Sequence, residues 1–309
     1  MAVEICADAQ AVARRGAELI SAAAQAAAVA RGVFALALSG GETPRRLYQS
    51  LARRGAGARI PWRRVHVYWS DERCVPPDHP DSNYGMAAAA LLRHVDVPPE
   101  NVHRMRGEDE PAAAAAAYEA ELSAPPLGPG GRSLGAADVE AAGPHAGDRP
   151  GSGVGGVVGR RRLAVAPPGA PRPAMTVPGA GSASGGMGAL PVFDVMLLGL
   201  GTDGHTASLY PHSEAIKETE RLCVATRAPD GSPRLTLTFP VINNARRVVV
   251  VVTGKGKAGM VAEVLEGLRL PDAVPAQRIA PPLGDVVWLL DEAAAAELGP
   301  QTRAAARRV

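Results

Sequence analysis

Short apolar runs alternate with longer stretches of helical periodicity along most of this chain. The apolar runs predict strands buried on both faces, and the Ala-rich or amphipathic stretches between them predict helices. The predicted strands are 33–38, 65–69, 192–198, 222–226, 235–239, 247–253 and 286–290, and the predicted helices are 8–30, 44–51, 83–93, 112–122, 257–268 and 292–298. Strands joined through helices are typical of a parallel sheet. We therefore predict an α/β fold with a single doubly wound, mainly parallel sheet flanked by helices.

One long segment interrupts this alternation. From Pro125 to Pro191 the 67 residues include 17 Gly and 11 Pro, whereas all 309 residues contain 35 Gly and 28 Pro. The segment contains no Ile, Phe, Tyr, Trp or Lys, so it cannot bury enough apolar area to offset the entropy of ordering it. We expect one domain, 1–309, interrupted at about 125–190 by a mostly disordered, low-complexity insertion.

The charge and cysteine content exclude several classes of protein. The 33 Lys and Arg residues nearly balance the 31 Asp and Glu residues, which gives a net charge of +2 and no general attraction to nucleic acid or anionic membranes. The cysteines, Cys6, Cys74 and Cys223, are too scattered for a disulfide framework or a zinc site. No apolar run approaches the roughly 18 residues of a membrane span, and the N-terminus carries Glu4 and Asp8 where a signal peptide is basic. We expect a cytoplasmic monomer or weak homo-oligomer with no nucleic-acid or membrane partner.

Four polar loops follow predicted strands, at the positions where open α/β sheets bind ligands. In the first loop, SGGETP at 39–44, two glycines let the backbone approach a ligand, and the next helix presents its free N–H groups. This arrangement suits a phosphate group, although a Gly-Gly turn between a strand and a helix is also ordinary.

The second loop, SDER at 70–73, directly follows the predicted strand VHVYW. Arg73 presents a rigid fork of donors that can hold an anionic group, and Asp71 can orient a neighbouring side chain or a ligand hydroxyl. The alternative interpretation is a surface cluster of ion pairs.

The third loop, LGLGTDGHTAS at 198–208, contains Asp203 and His205 separated by one residue. A structural histidine would lie within an apolar pattern, whereas His205 lies in a glycine-bounded loop. There an imidazole, which titrates near neutral pH, can take a proton from water. Asp203 can orient the ring or stabilise its charged form, so this pair is the predicted catalytic centre.

The fourth loop, TGKGKAG at 253–259, follows a run of five valines and matches the dinucleotide-binding pattern G-x-G-x-x-G. In dinucleotide-binding proteins that pattern normally opens the first βαβ unit, whereas this loop lies near the C-terminus. We therefore favour a loop whose lysine contacts a phosphate over a dinucleotide-binding loop. The remaining histidines have no metal-ligand spacing, and neither a P-loop nor a G-x-S-x-G elbow occurs.

Taken in order, these segments resemble the 6-phosphogluconolactonase family. The matching stretches are LALSGGETPRRLY, VHVYWSDERCVPPDHPDSNYG, FDVMLLGLGTDGHTASLYP, PRLTLTFPVIN, VVVVTGKGKA and QRIAPPLGDVVWLLDEAA, and the resemblance covers the chain except for about 125–190. It implies hydrolysis of 6-phospho-D-glucono-1,5-lactone to 6-phosphogluconate, the second step of the oxidative pentose phosphate pathway, with no metal or organic cofactor. It also implies that His205 is the general base and that Asp203 lies beside it.

The same resemblance implies a set of substrate contacts. Arg73 and Lys257 would hold the 6-phosphate with help from nearby backbone donors. The expected substrate- and phosphate-binding residues are Ser39, Gly40, Gly41, Thr43, Asp71, Arg73, Arg234 and Lys257, with Thr43 and Arg234 at the rim.

Two other functions remain open from the sequence. Aminosugar-phosphate deaminases or isomerases of the same wider fold also have the D-G-H loop, but they place a glutamate five residues after the histidine, where this chain has Tyr210. A sugar-phosphate sensor that binds without turnover is the third candidate. Such a sensor usually adjoins a DNA-binding domain, and no helix-turn-helix segment is evident here.

Overall fold

The computed structural model describes residues 1–53, 55, 57–124, 126–127 and 190–309. In these residues the strands are β1 (Ala2–Cys6), β2 (Phe34–Leu38), β3 (Val65–Trp69), β4 (Asp71–Arg73), β5 (Val195–Leu198), β6 (Cys223–Arg227), β7 (Pro233–Leu237), β8 (Arg247–Val252), β9 (Asp285–Asp291) and β10 (Arg307–Arg308). The α-helices are α1 (Ala9–Arg31), α2 (Glu42–Ala52), α3 (Asn83–Ala90), α4 (Pro111–Ser123), α5 (Phe239–Ile242), α6 (Ala258–Glu266) and α7 (Pro300–Ala305).

The main sheet has the strand order β10-β1-β9-β8-β5-β2-β3, and every pairing in it is parallel. Alternate residues of a strand point to opposite faces, and in β8 this divides Val248 and Val250 from Val249 and Val251. The two pairs of valines belong to two separate hydrophobic clusters, one on each face of the sheet. The predicted α/β fold with a mainly parallel sheet is confirmed.

Helices cover both faces of this sheet. Helices α1, α2 and α3 pack into one cluster, and α4 and α6 pack into the other. Helix α1 has clear local signals at both ends: the Asp8 carboxylate accepts a hydrogen bond from Ala11 N at 2.7 Å, and Gly32 ends the helix with φ of 77°.

A second, three-stranded antiparallel sheet has the order β4-β7-β6. The sequence predicted a loop at 70–73, and this is wrong for Asp71–Arg73, which is β4. The reason is tertiary pairing, because β4 hydrogen-bonds along β7 and thereby overrides the polar composition of its three residues. The predicted strands 222–226 and 235–239 also belong to this second sheet, and Phe239 already starts α5.

Two other predicted elements differ from the structure. The predicted helix 292–298 is a run of turns, because after one bond from Ala295 N to Asp291 O the next bonds, from Ala296 N and Leu298 N, reach only three residues back. The predicted strand 192–198 begins only at Val195, because the Asp194 carboxylate accepts from Ala35 N at 2.9 Å and pairs with Arg31. Strands β1 and β10 and helix α7 were not predicted.

Most of the predicted insertion, 125 and 128–189, lies outside the described residues. Its described edges belong to the folded core. Leu127 is buried, Leu190 packs against the same hydrophobic cluster, and Asn244 Nδ2 donates to Leu190 O at 3.2 Å.

Within the described ranges, no helix combines the length and the apolar content that crossing a bilayer requires.

Candidate active site

A cleft of about 280 Å³ lies beyond the carboxyl ends of β2, β3, β5 and β8. The strand order reverses between β2 and β5, because β3 lies on one side of β2 and β5 and β8 lie on the other. In open α/β sheets, ligands usually bind in the crevice at such a reversal. The cleft is lined by Ser39, Gly40, Gly41, Asp71, Arg73, Gly199, Leu200, Gly201, Thr202, His205, Ala207, Tyr210, Arg234 and Lys257. The fold thus brings residues of all four predicted loops together.

His205 and Asp203 form a hydrogen-bonded pair at one side of the cleft. His205 Nδ1 lies 2.5 Å from Asp203 Oδ1, and the same carboxylate oxygen accepts from the His205 backbone N at 3.2 Å. Because a carboxylate can only accept, this contact assigns the ring proton to Nδ1 and leaves Nε2 as a lone-pair base. His205 lines the cleft, whereas Asp203 does not. The imidazole therefore lines the cavity while a carboxylate outside the cavity lining holds its Nδ1.

The turn that holds this pair requires a glycine at 201. A Cβ on Gly201 would stand 2.1 Å from His205 Nδ1 and 2.5 Å from Asp203 Oδ1, which is closer than atoms can approach. Gly201 N also donates to His205 O at 2.8 Å and closes the turn. The absence of a side chain at 201 is therefore what allows the imidazole and the carboxylate to meet.

Asp71, the first residue of β4, is a buried carboxylate at the cleft. It accepts from Ser208 Oγ at 2.8 Å and from Ser70 Oγ at 3.3 Å, and Asn83 Nδ2 donates to its backbone oxygen at 2.9 Å. Its side chain is only 7% exposed, yet it lines the cavity. These hydroxyl donors compensate the buried charge and fix the carboxylate in one orientation.

Arg73 and Arg234 face each other across β4 and β7. The antiparallel register pairs these two residues directly, and both line the cleft. Arg73 Nη1 donates to Asp81 O and Arg234 Nη1 to Pro233 O, and neither guanidinium has a carboxylate partner among the described residues. Like charges directly opposite in a sheet are unfavourable, so this pair produces a local positive charge that an anion would relieve.

The first loop contributes fewer backbone donors than predicted. Ser39 N donates to Tyr48 Oη at 2.8 Å, and Tyr48 Oη donates back to Ser39 O at 2.7 Å. The buried phenol therefore already uses Ser39 N, which is not a free donor toward the cleft. Ser39 still lines the cleft, as do Gly40 and Gly41 at the start of α2.

Asn83, at the start of α3, packs against Gly40 of the first loop. A Cβ on Gly40 would come within 1.9 Å of Asn83 Oδ1, so the two elements approach as closely as a glycine permits. Glu72, on the reverse face of β4, orients α3 because its carboxylate accepts from Asn83 N and Tyr84 N, each at 2.7 Å. Burial raises the pKa of the Glu72 carboxyl, while these backbone donors oppose that rise.

Lys257 approaches the cleft from the loop after β8. Asp291 holds this loop, since both of its carboxylate oxygens lie 3.0 Å from Gly254 N. Burial lowers the pKa of the Lys257 ammonium, and the nearby charge of Asp203 opposes that change. The lysine thus adds a third cationic side chain on the cavity wall.

Two residues depart from the predicted set. Thr43 does not line the cleft; its hydroxyl lies 2.7 Å from Thr253 Oγ1 and joins the first and fourth loops. Tyr210 lines the cleft and was not predicted as a site residue. Its ring packs against the His205 imidazole, with 4.7 Å between centroids. The spacing of five residues was visible in the sequence, but the turn at 206–209 that folds Tyr210 back onto His205 was not.

In the described part of the chain, no group of three or more His, Cys, Asp or Glu side chains could hold a metal ion.

Similar proteins share both the sequence and the fold. The sequence model of the family described as glucosamine-6-phosphate isomerases/6-phosphogluconolactonase matches residues 7–139 and 175–288. The chain is 36% identical to the 6-phosphogluconolactonase of Nostoc sp. over 96% of this chain and 98% of the relative. It is 37% identical to that of Synechocystis sp. over 87% of each. The solved structure of 6-phosphogluconolactonase from Trypanosoma brucei matches with a TM-score of 0.70 and 27% identity, over 96% of this chain and 98% of that one.

Proposed function

The chain belongs to the family of glucosamine-6-phosphate isomerases and 6-phosphogluconolactonases, and we propose that it hydrolyses 6-phospho-D-glucono-1,5-lactone to 6-phospho-D-gluconate. The observation that carries this proposal is the His205–Asp203 pair at a cleft that Arg73 and Arg234 also line. A base and an anion site in one cavity of about 280 Å³ suit a small, phosphorylated, hydrolysable substrate. The relatives named 6-phosphogluconolactonase support the choice of lactone.

In the proposed reaction, water is the nucleophile. His205 Nε2 takes a proton from a water molecule as the oxygen forms a bond to the lactone carbonyl carbon. The tetrahedral oxyanion then collapses and breaks the ring C–O bond, and the departing alkoxide takes the proton back from the imidazolium. Asp203 holds the ring through Nδ1 and stabilises its charged form during the step. Because water attacks the carbonyl carbon directly, no covalent enzyme intermediate forms in this reaction.

The substrate phosphate is assigned to the cationic wall. Arg73 and Arg234 can each form charge-assisted hydrogen bonds to it, and Lys257 adds a point charge. Gly40 N and Gly41 N, which have no partner among the described residues, supply neutral donors at the start of α2. Asp71 is assigned to a sugar hydroxyl, because its carboxylate is fixed by Ser208.

Aminosugar-phosphate deamination is the competing activity. The residue five positions after His205 supports the lactonase, since Tyr210 cannot supply the carboxylate that the deaminases use there. The test is to follow acid release from freshly prepared lactone by pH-stat and ammonium release from glucosamine 6-phosphate. The proposal predicts acid release well above spontaneous hydrolysis and no ammonium. Ammonium release without lactone hydrolysis would refute it.

The proposal also includes a cytoplasmic monomer or weak homo-oligomer without nucleic-acid or membrane partners. The net charge of +2 and three cysteines that are all free support it. Light scattering after size-exclusion chromatography measures the assembly state, and a stable oligomer at micromolar concentration would contradict this part.

A further inference from the structure

A second cavity lies at the outer surface of α1 and the C-terminal end of α2, and it shares no lining residue with the cleft. It has a volume of about 460 Å³. Its lining includes Gln10, Arg14, Glu18, Ser50, Arg53 and Arg59. We call it the arginine groove, after Arg14, Arg53 and Arg59.

These three arginines differ from most others in the described part of the chain. Arg15, Arg31, Arg104, Arg221 and Arg303, for example, each pair with a carboxylate. Within the described residues, the three arginines of the groove have no carboxylate or hydrogen-bond partner. Arg73 and Arg234 of the cleft also lack a carboxylate partner among the described residues, and we expect them to bind an anion.

The fold directs the three side chains to one place from three separate elements. Arg14 lies on α1, with Gln10 and Glu18 one helical turn before and after it on the same face. Arg53 directly follows the last residue of α2, and Arg59 ends the 3₁₀ turn Gly57–Arg59.

These elements are packed tightly enough to fix the groove. A Cβ on Gly16 of α1 would lie 2.4 Å from Leu47 Cδ1 of α2, and one on Gly57 would lie 1.7 Å from Leu51 O. Trp62 Nε1 donates to Gly57 O at 3.1 Å and anchors the 3₁₀ turn. Close packing therefore fixes the backbone of α1 and of the 3₁₀ turn, from which Arg14 and Arg59 extend to the surface.

The charge of the groove is not balanced from within. Glu18 is the one acidic side chain among the described lining residues, and its carboxylate already accepts from Arg15 at 3.2 Å. The C-terminal end of α2 favours one nearby cation, which accounts for Arg53. Arg14 and Arg59 are additional positive charges, and neither forms an ion pair with a described residue.

We propose that the arginine groove binds a ligand with a chain of two or more phosphate groups. Each guanidinium can grip phosphate oxygens through two parallel N–H donors, and three of them around about 460 Å³ exceed what a single phosphate can occupy. Gln10 and Ser50 add neutral donors to the same wall.

Titration calorimetry with inorganic tripolyphosphate tests this on the full chain. The cleft is first saturated with 6-phosphogluconate, so that heat reports the groove alone. The test variant is R14Q/R53Q/R59Q. The matched control is R64Q/R93Q/R227Q, which removes the same charge from exposed arginines that lie outside the groove and lack carboxylate partners. All of these residues are on the surface, so both variants should fold.

The expected result is one tripolyphosphate per chain, weakened about tenfold by each arginine removed, since one charge-assisted contact is worth roughly one decade in affinity. The control variant should bind as the wild type does, and orthophosphate should bind more weakly than tripolyphosphate.

ATP tested in parallel identifies the source of the phosphate chain: equal affinity means that the phosphates alone are recognised, and tighter binding means that a nucleotide is the ligand. No saturable heat, or equal weakening in both triple variants, would overturn the proposal. The lactonase rate of R14Q/R53Q/R59Q is measured as well. An unchanged rate would show that the groove and the proposed lactonase activity are independent, so that one proposal can fail without the other.

Discussion

Replacing Gly201 by alanine should disable the site without unfolding the protein. The added Cβ would stand 2.1 Å from His205 Nδ1 and 2.3 Å from Cε1. Since such atoms make contact at about 3.5 Å, the imidazole has to retreat by about 1.4 Å. A displacement of about 1 Å at a reacting group costs roughly 100-fold in rate, so we expect kcat to fall by about two orders of magnitude.

The stability of the G201A variant should change little, by about 1 kcal/mol at most, because the imidazole can swing toward the cleft and the backbone at 201 is not in the left-handed region. The assay is pH-stat hydrolysis of fresh lactone, with urea unfolding measured in parallel. G256A is the matched control, since a Cβ there has no atom within 4 Å. Combining G201A with H205A should add no further loss, because both act on one group. A G201A variant with kcat within about twofold of wild type would refute the assigned dyad geometry.

The other predictions concern binding and pH. R234Q should raise KM about 10- to 100-fold, because a charge-assisted contact to the phosphate is lost. The free energy of unfolding should not fall, because the repulsion between Arg234 and Arg73 is relieved. An unchanged KM would show that Arg234 does not bind the phosphate. Burial, and secondly His66, lower the pKa of His103 from 6.5 to about 4. The unfolded chain therefore binds more protons between these values, so unfolding free energy should fall by about 3 kcal/mol as the pH drops from about 6.5 to about 4. H103Q should flatten this urea-unfolding profile and H94Q, at an exposed histidine, should not; coincident profiles for H103Q and wild type would contradict the assignment.

Five strands of the main sheet, β9, β8, β5, β2 and β3, were predictable because they carry strong local signals, whereas β1 and β10 were not predicted. The valines of β8 and the apolar residues of β2 are buried on both faces of the sheet. A strand buried on both faces needs an uninterrupted apolar run, which is visible in the sequence. The capping pair Asp8 and Gly32 likewise defines α1 locally.

The second sheet was not predictable in the same way. Strand β4 has three polar residues, and only its pairing with the distant β7 makes it a strand. This pairing sets the register that brings Arg73 opposite Arg234, a contact across more than a hundred residues. Sequence alone indicated an anion at Arg73, but the opposed pair depends on tertiary structure.

The candidate site divides similarly. Asp203 and His205 were predictable because they share one glycine-bounded turn. The use of Ser39 N by Tyr48, and the packing of Tyr210 on His205, depend on side-chain positions that no local pattern specifies.

The most direct test of the central claim is single-turnover hydrolysis of 6-phosphogluconolactone by wild-type protein and H205A. If His205 activates the attacking water, the substitution should reduce the rate by about 100- to 10,000-fold, the usual contribution of a general base, while 6-phosphogluconate still binds with nearly wild-type affinity. An H205A variant that hydrolyses the lactone at the wild-type rate would contradict the account.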